Sequence, residues 1–174
     1  MPPIPGTIRL LLLDVDGVLT DGSLLFSEAG ETIKRFHVRD GLGIRMLQEA
    51  GIAVGVITGR KSAAVAARCQ DLGITRVYQG VKDKAALIPE LENATGVPAT
   101  DMAFLGDDLI DMAIMKQVGF SAAVADAHPR VRRTANWVTR LPGGHGAVRE
   151  LAEALLKAGG KWEKICRRYG GGAA

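Results

Sequence analysis

Seven polar side chains are spaced so that they could form one acidic, cation-dependent site. Two of them, Asp14 and Asp16, end an apolar run and precede Gly17. Two carboxylates this close repel each other, and such a pair raises a pKa or recruits a cation. Asp and Gly are also ordinary turn residues, so this stretch alone is compatible with a simple turn.

A second acidic cluster lies near residue 110 and contains Asp107, Asp108 and Asp111. Acidic residues are favoured at helix starts for capping and dipole reasons, which can explain any one of the three. Three carboxylates in five residues cost free energy unless a cation lies among them. Mg²⁺, which prefers oxygen ligands, suits such a cluster.

Thr58 and Lys84 are candidates for binding an anion. Thr58 directly follows an apolar run, and its hydroxyl and the nearby backbone N–H groups could bind phosphate at a helix entrance. A Thr-Gly turn is more often an ordinary loop. Lys84 lies in the first turn of a predicted helix, where the helix dipole disfavours a cation unless an anion is near. The alternative is a solvated lysine offset by Asp83, and Lys82 is the nearest competitor.

Alternating strands and helices position these candidates. The apolar run at 10–13 predicts a strand buried on both faces. Further strands are predicted at 52–57, 77–78, 102–105, 120–124 and 137–138. Helices are predicted from Asp40, as N-cap, to Gly51, and at 62–72, 82–95, 109–118, 129–135 and 147–158. This order predicts an α/β fold with a doubly wound, mainly parallel sheet. Ligands bind at the carboxyl ends of such strands, where the candidates meet.

Residues 23–38 interrupt the alternation with two β-prone runs around Gly30, which predicts a protruding β-hairpin. A hairpin outside the sheet has exposed edges that must be covered, and oligomerisation is one way to cover them. No other loop is long enough for an inserted domain. We therefore predict a single domain over residues 1–174, with a C-terminal tail at about 160–174.

Composition narrows the function classes. Aromatic residues make up only 5% of the chain, which argues against a stacking surface for single-stranded nucleic acid. The net charge of +3 is modest, and it suits small anionic substrates as well as it suits nucleic acid. Two cysteines do not suggest a disulfide framework, and no apolar stretch is typical of a signal peptide or membrane span. The expectation is a cytoplasmic protein that binds neither nucleic acid nor membranes.

The order of the candidate residues resembles the haloacid dehalogenase (HAD) superfamily of phosphotransferases. Nearly the whole chain is also similar to one family within it, the capless 3-deoxy-D-manno-octulosonate 8-phosphate (KDO 8-phosphate) phosphatases. The segments that carry this resemblance are DVDGVLTDG at 14–22, KRFHVRDG at 34–41, ITGR at 57–60, YQGVKDK at 78–84, GDDLID at 106–111, VADAH at 124–128 and PGGHGAVRE at 142–150.

The resemblance implies a Mg²⁺-dependent phosphomonoesterase. Asp14 would attack phosphorus and form an aspartyl-phosphate. Asp16 would protonate the leaving sugar oxygen and then activate water. The side chains of Asp14 and Asp107 and the backbone carbonyl of Asp16 would hold Mg²⁺, while Thr58 and Lys84 bind phosphate oxygens.

The resemblance further implies that Asp108 and Asp111 orient Lys84 and the waters on the metal. It also implies a homotetramer in which the hairpins pack together. Four residues are candidates for binding the phosphorylated sugar acid, whose carboxylate suits the forked guanidinium group. They are Arg35, His37, Arg39 and Arg60.

Other functions remain open at this point. A related phosphatase acts on nine-carbon sugar acid (KDN or sialate) 9-phosphates, and by resemblance Arg60 favours the eight-carbon substrate of lipopolysaccharide biosynthesis. A receiver-like phospho-switch also combines an acidic pocket with a Thr and a Lys, but its phosphoacceptor stands alone, without a second aspartate two residues on. The last alternative is a tetramerisation domain that retains inert motifs.

Overall fold

The computed structural model describes residues 4–28 and 30–170. Its centre is a six-stranded sheet. The strands of this sheet are β1 (Leu10–Leu13), β4 (Ala53–Thr58), β5 (Arg76–Gln79), β6 (Met102–Gly106), β7 (Phe120–Ala123) and β8 (Trp137–Val138). They lie in the order β5-β4-β1-β6-β7-β8, and every neighbouring pair is parallel. The doubly wound α/β fold is confirmed, and the described residues contain no cap domain.

The helices connect these strands. They are α1 (Val38–Glu49), α2 (Ala63–Asp71), α3 (Ile88–Thr95), α4 (Met112–Met115), α5 (Pro129–Thr134), α6 (Ala147–Ala158) and α7 (Trp162–Arg168). Short 3₁₀ helices at Ala85–Leu87, Ala99–Asp101 and Leu109–Asp111 complete the connections. Both faces of the sheet are covered at β1, so all four leucines of this strand are fully buried. Burial on both faces is what a continuous apolar strand requires.

The hairpin lies outside this sheet. Strands β2 (Leu25–Ser27) and β3 (Gly30–Ile33) pair antiparallel with each other, as the sequence predicts. Ala29, in the predicted link, lies outside the described residues, as do residues 171–174 of the predicted tail. Leu25, Phe26 and Ile33 are more than half exposed. The hairpin therefore presents apolar side chains that the described residues leave exposed.

The predicted N-cap of the first helix is wrong. Helix α1 begins at Val38, and the Nδ1 atom of His37 accepts its capping hydrogen bond from the N–H of Arg39. Asp40 lies inside the helix and is 1% exposed. Its carboxylate accepts hydrogen bonds from the N–H groups of Gly146 and Arg149, so it caps α6 instead. A local pattern cannot reveal a cap donated across 106 residues of chain.

The bounds of two other helices differ most from the predictions, and one helix was not predicted. The helix predicted at 82–95 begins as a 3₁₀ turn at Ala85, directly after Lys84. The helix predicted at 109–118 is a 3₁₀ turn followed by the four-residue α4. Helix α7 was not predicted, because its basic residues were assigned to the tail.

No helix among the described residues combines the length and apolarity needed to cross a bilayer. The single-domain assignment stays a prediction.

Candidate active site

Three charged side chains form one buried cluster. Asp14 directly follows β1, Asp111 lies in the 3₁₀ turn after β6, and Lys84 directly precedes the 3₁₀ turn that begins at Ala85. The Nζ atom of Lys84 lies 2.7 Å from Oδ1 of Asp14 and 2.6 Å from Oδ1 of Asp111. All three residues are at most 4% exposed. A buried ammonium is costly unless it is paired, and here two carboxylates pair with it. Burial lowers the pKa of Lys84, but these carboxylates outweigh it and raise the pKa overall.

Asp111 is held by its own turn as well as by Lys84. Its Oδ2 atom accepts hydrogen bonds from the N–H groups of Asp107 and Asp108, at 2.9 and 3.4 Å. The Asp108 carboxylate in return accepts one from the N–H of Leu109, at 2.7 Å. Gly106 allows this close approach, because a Cβ there would overlap the Asp111 carboxylate. The Asp111 carboxylate therefore orients Lys84 and fixes the turn that carries Asp107.

Asp107 completes an acidic group that fits a divalent cation. Carboxylate oxygens of Asp14, Asp107 and Asp111 lie within 4.8 Å of one another. Burial raises the pKa of Asp14 to about 6, against the opposing charge of Lys84. Burial, followed by the charges of Asp14 and Asp111, raises the pKa of Asp107 to about 8. Burial and the neighbouring carboxylates therefore disfavour the charged forms of Asp14 and Asp107 unless a cation lies among them, and a set of carboxylate oxygens suits Mg²⁺.

The turn after β1 passes close to this acidic group. Gly17 has φ +88°, and a Cβ at this position would overlap Oδ2 of Asp107. The glycine therefore allows the backbone to approach the carboxylate. The same turn is covered by the loop before α6, because the N–H of Gly144 donates a 2.9 Å hydrogen bond to the carbonyl of Val18. Asp40 anchors the end of that loop through its hydrogen bond from Gly146.

The Asp16 carboxylate is contacted by two cations and does not belong to the acidic group of Asp14, Asp107 and Asp111. Its Oδ1 atom forms an ion pair with Lys34, and its Oδ2 atom lies 3.8 Å from Nε of Arg60. The Asp16 side chain is 21% exposed, so it is accessible to a ligand. Lys34 was not among the predicted site residues. In the sequence, Lys34 is distinguished only because it lies in segment 34–41, which carries part of the family resemblance. A contact between residues 18 apart leaves no local pattern.

Thr58 ends β4, next to β1 in the sheet, and is 2% exposed. Its Oγ1 atom accepts a long hydrogen bond of 3.4 Å from the N–H of Arg60. Strands β1 and β4 are parallel and in register from Leu10 and Ala53, so Thr58 and Asp14 end neighbouring strands at the same edge. This is the edge at which doubly wound sheets bind ligands.

The remaining predicted substrate ligands are spread more widely. Arg35 forms an ion pair with Asp21, in the loop that follows the Asp14 motif. His37 uses Nδ1 to cap α1, as described above. Arg39 is exposed and lines a surface depression of about 540 Å³ with Arg149 and the His145 loop. Arg60 is the one of the four predicted ligands that contacts Asp16.

Comparison with known proteins shows the family of this chain. Residues 73–151 match the model of the haloacid dehalogenase-like hydrolase family. The chain is 49% identical over 157 residues to the 3-deoxy-D-manno-octulosonate 8-phosphate phosphatase KdsC of Escherichia coli K12, which covers 90% of this chain and 84% of the relative. The chain belongs to this phosphatase family.

Solved members of the KDO 8-phosphate phosphatase family share the fold. A cobalt-bound phosphatase from Haemophilus influenzae has 43% identity and a TM-score of 0.89, covering 91% of this chain and 92% of that one. The phosphatase from Moraxella catarrhalis has 37% identity and a TM-score of 0.91, with 94% of both chains covered. That structure contains a magnesium ion, a phosphate ion and a KDO molecule.

Proposed function

We propose that this protein hydrolyses KDO 8-phosphate to KDO and phosphate, with Mg²⁺ as its cofactor. The observation that carries the proposal is the buried Asp14 carboxylate, which lies at the carboxyl edge of the sheet against Lys84 and in one oxygen cluster with Asp107. A nucleophile, a fixed cation and a cation-binding carboxylate are the parts that phosphoryl transfer through a covalent intermediate requires.

The side chains of Asp14 and Asp107, with the backbone carbonyl of Asp16, would hold the metal. Asp111 is less suited, because Lys84 and two backbone N–H groups already occupy its oxygens. Asp107, by contrast, has no hydrogen-bond donor to its carboxylate among the described residues, so its oxygens are available. Bound Mg²⁺ supplies positive charge that offsets the charge on the phosphate and the nucleophile.

Asp14 and Asp16 divide the covalent chemistry between them. An oxygen of Asp14 attacks phosphorus, and the bond from phosphorus to the sugar oxygen breaks. Asp16 donates a proton to that leaving oxygen. In the second half, Asp16 takes a proton from water, which attacks the aspartyl-phosphate and releases phosphate from Asp14. The partial exposure of Asp16 gives it access to both the sugar oxygen and water.

Thr58 and Lys84 bind the transferring phosphate. The hydroxyl and N–H of Thr58 donate hydrogen bonds to its oxygens, and Lys84 supplies a fixed positive charge that is already oriented by Asp111. An oriented charge in a buried site costs no reorganisation during the reaction. Asp108 acts indirectly, by capping the turn that holds Asp107 in place.

Arg60 is the best placed of the predicted sugar-acid ligands, because it lies beside the group that protonates the leaving oxygen. Arg35 is close to the loop after the Asp14 motif and is 69% exposed, so it can reach a substrate that extends outward. His37 and Arg39 lie at the start of α1. They remain predicted ligands for the distal part of the sugar acid.

The active form is proposed to be a homotetramer of single-domain chains in the cytoplasm. The support for assembly is the hairpin, whose exposed apolar side chains are arranged on a two-stranded ribbon that is marginal in isolation. These side chains are Leu24, Leu25, Phe26 and Ile33. A second copy of the chain would cover them in a symmetric contact. The product would supply lipopolysaccharide biosynthesis, as the family resemblance implies.

The test is phosphate release from a panel of sugar phosphates with Mg²⁺ present. KDO 8-phosphate should be the best substrate, and a nine-carbon sugar acid 9-phosphate a poorer one. A preference for the nine-carbon compound would assign the related activity. Stable phosphorylation of Asp14 without phosphate release would indicate a phospho-switch, and no reaction with any compound would indicate an inert assembly domain.

A further inference from the structure

Lys34 is a buried cation outside the predicted catalytic set. It directly follows β3 of the hairpin, and its side chain is 1% exposed. Its Nζ atom forms an ion pair with Oδ1 of Asp16. Burial of an ammonium is costly, and a buried ion pair often contributes little net stability compared with apolar packing. Stability is therefore a weak explanation for the presence of Lys34.

Lys34 and Arg60 contact different oxygens of the same carboxylate, but unequally. Arg60 is 3.8 Å away and 44% exposed, so solvent and salt screen its charge. The Lys34 contact is shorter and screened from solvent. A sequestered charge at contact distance fixes a carboxylate more strongly than an exposed one does. Lys34 is therefore the stronger determinant of which way the Asp16 carboxylate points.

We infer that Lys34 is a positioning residue for Asp16: it fixes the carboxylate in the orientation that serves the leaving oxygen. The inference rests on the proposed phosphatase function, in which Asp16 exchanges the proton. Lys34 acts through Asp16 and does not contact the phosphate. A catalytic group displaced by about 1 Å can lose a factor of 10², so control of this one orientation is sufficient for a large effect on rate.

The position of Lys34 also connects the hairpin to the site. Phe26, on β2, has its ring centroid 6.0 Å from the guanidinium carbon of Arg60. The segment leaving β3 contributes Lys34 itself. The hairpin therefore contacts both cations beside Asp16. The position of the hairpin therefore controls Asp16, the general acid and base, and the hairpin also provides a surface for assembly.

A double-mutant cycle tests the inference, because a residue that acts only through Asp16 has no effect once Asp16 is inactive. The variants are Lys34→Met, Asp16→Asn and the double mutant, assayed for kcat and KM with KDO 8-phosphate and Mg²⁺. Methionine has a similar length and leaves no buried charge. Lys157→Met is the control for loss of an exposed lysine, since Lys157 on α6 also pairs with a carboxylate, that of Glu153 at 3.7 Å. Melting temperatures accompany all assays.

Lys34→Met should lower kcat roughly 10- to 100-fold, with KM changed less than about threefold. In the Asp16→Asn background the same substitution should change kcat less than about twofold. Lys157→Met should match the parent enzyme. An equal loss in both backgrounds, a loss confined to KM, or no loss would each overturn the inference. If Lys34→Met does not fold, Lys34→Gln takes its place in the same cycle. Failure of the proposed function is a separate result, in which the unmodified chain releases no phosphate.

Discussion

The acidic pocket and the hairpin differ in how many contacts the described residues of one chain provide for their side chains. In the pocket, the charge of Lys84 is matched by Asp14 and Asp111, and two backbone N–H groups donate to the remaining oxygen of Asp111. In the hairpin, Phe26 is 63% exposed and Ile33 is 57% exposed. The comparison indicates that the described residues of one chain organise the pocket, whereas the hairpin leaves apolar side chains exposed, which is the support for its proposed role in assembly.

The largest effect is expected for the nucleophile. Asp14→Asn should lower kcat by roughly 10⁴-fold or more, because the amide cannot form the covalent intermediate. Steady-state phosphate release measures the loss. Oligomeric state by light scattering should match that of the parent, since the hairpin is untouched. Residual activity within tenfold of the parent would exclude Asp14 as nucleophile.

Chelation should reduce activity to background, and Mg²⁺ should restore it. The metal should also raise the melting temperature, because a ligand that binds only the folded state stabilises that state. Asp107→Asn should lose most of this thermal shift. Asp71→Asn is the control, since Asp71 pairs with Arg45 and Arg68 on the protein surface. Equal shifts in both variants would contradict the placement of the metal at Asp107.

A smaller effect is expected where the backbone approaches the pocket. Gly17→Ala places a Cβ against Asp107 and should lower kcat/KM roughly 100-fold in assays with Mg²⁺. Gly51→Ala is the matched control, because Gly51 also has positive φ, +78°, but has open space around it. It should cost about 1 kcal/mol of unfolding free energy and leave kinetics unchanged. Equal kinetic losses would mean that only backbone strain matters at Gly17.

The hairpin should show the opposite pattern, with little effect on folding and a large effect on assembly. Phe26→Ser should change the free energy of unfolding of the isolated chain by no more than about 0.5 kcal/mol, since the side chain is exposed. Light scattering should detect dissociation of the tetramer, with activity reduced only severalfold. Tyr169→Ser, at a residue that is 51% exposed, is the control. An intact Phe26→Ser tetramer would contradict the assembly role of the hairpin.

The elements that could be predicted from the sequence are those whose structure depends mainly on their own residues. Strand β1 was predictable because four consecutive leucines need burial on both faces, and α6 has the predicted bounds, Ala147–Ala158, because its apolar residues repeat with helical spacing. The hairpin followed from two β-prone runs around Gly30. Helix α7 was missed because its Lys and Arg residues are equally compatible with an unstructured tail.

Contacts between distant segments were harder to predict. Asp40 has the sequence context of a cap for α1, but the packing of α1 against α6 lets it cap the second helix instead. Residue types and spacing indicated the seven candidate site residues, and the resemblance implied that Asp111 orients Lys84. Neither revealed that Asp16 pairs with Lys34. That pairing depends on where the segment after β3 lies, which no local pattern encodes.

The central claim is that Asp14 attacks phosphorus beside a Mg²⁺ ion that Asp107 helps to hold. The most direct measurement is a crystal structure of the protein with Mg²⁺ and beryllium fluoride, a mimic of the phosphoryl group. The account predicts beryllium bonded to an oxygen of Asp14, with Mg²⁺ coordinated by Asp14 and Asp107. Beryllium on another residue, or Mg²⁺ bound away from Asp107, would contradict it.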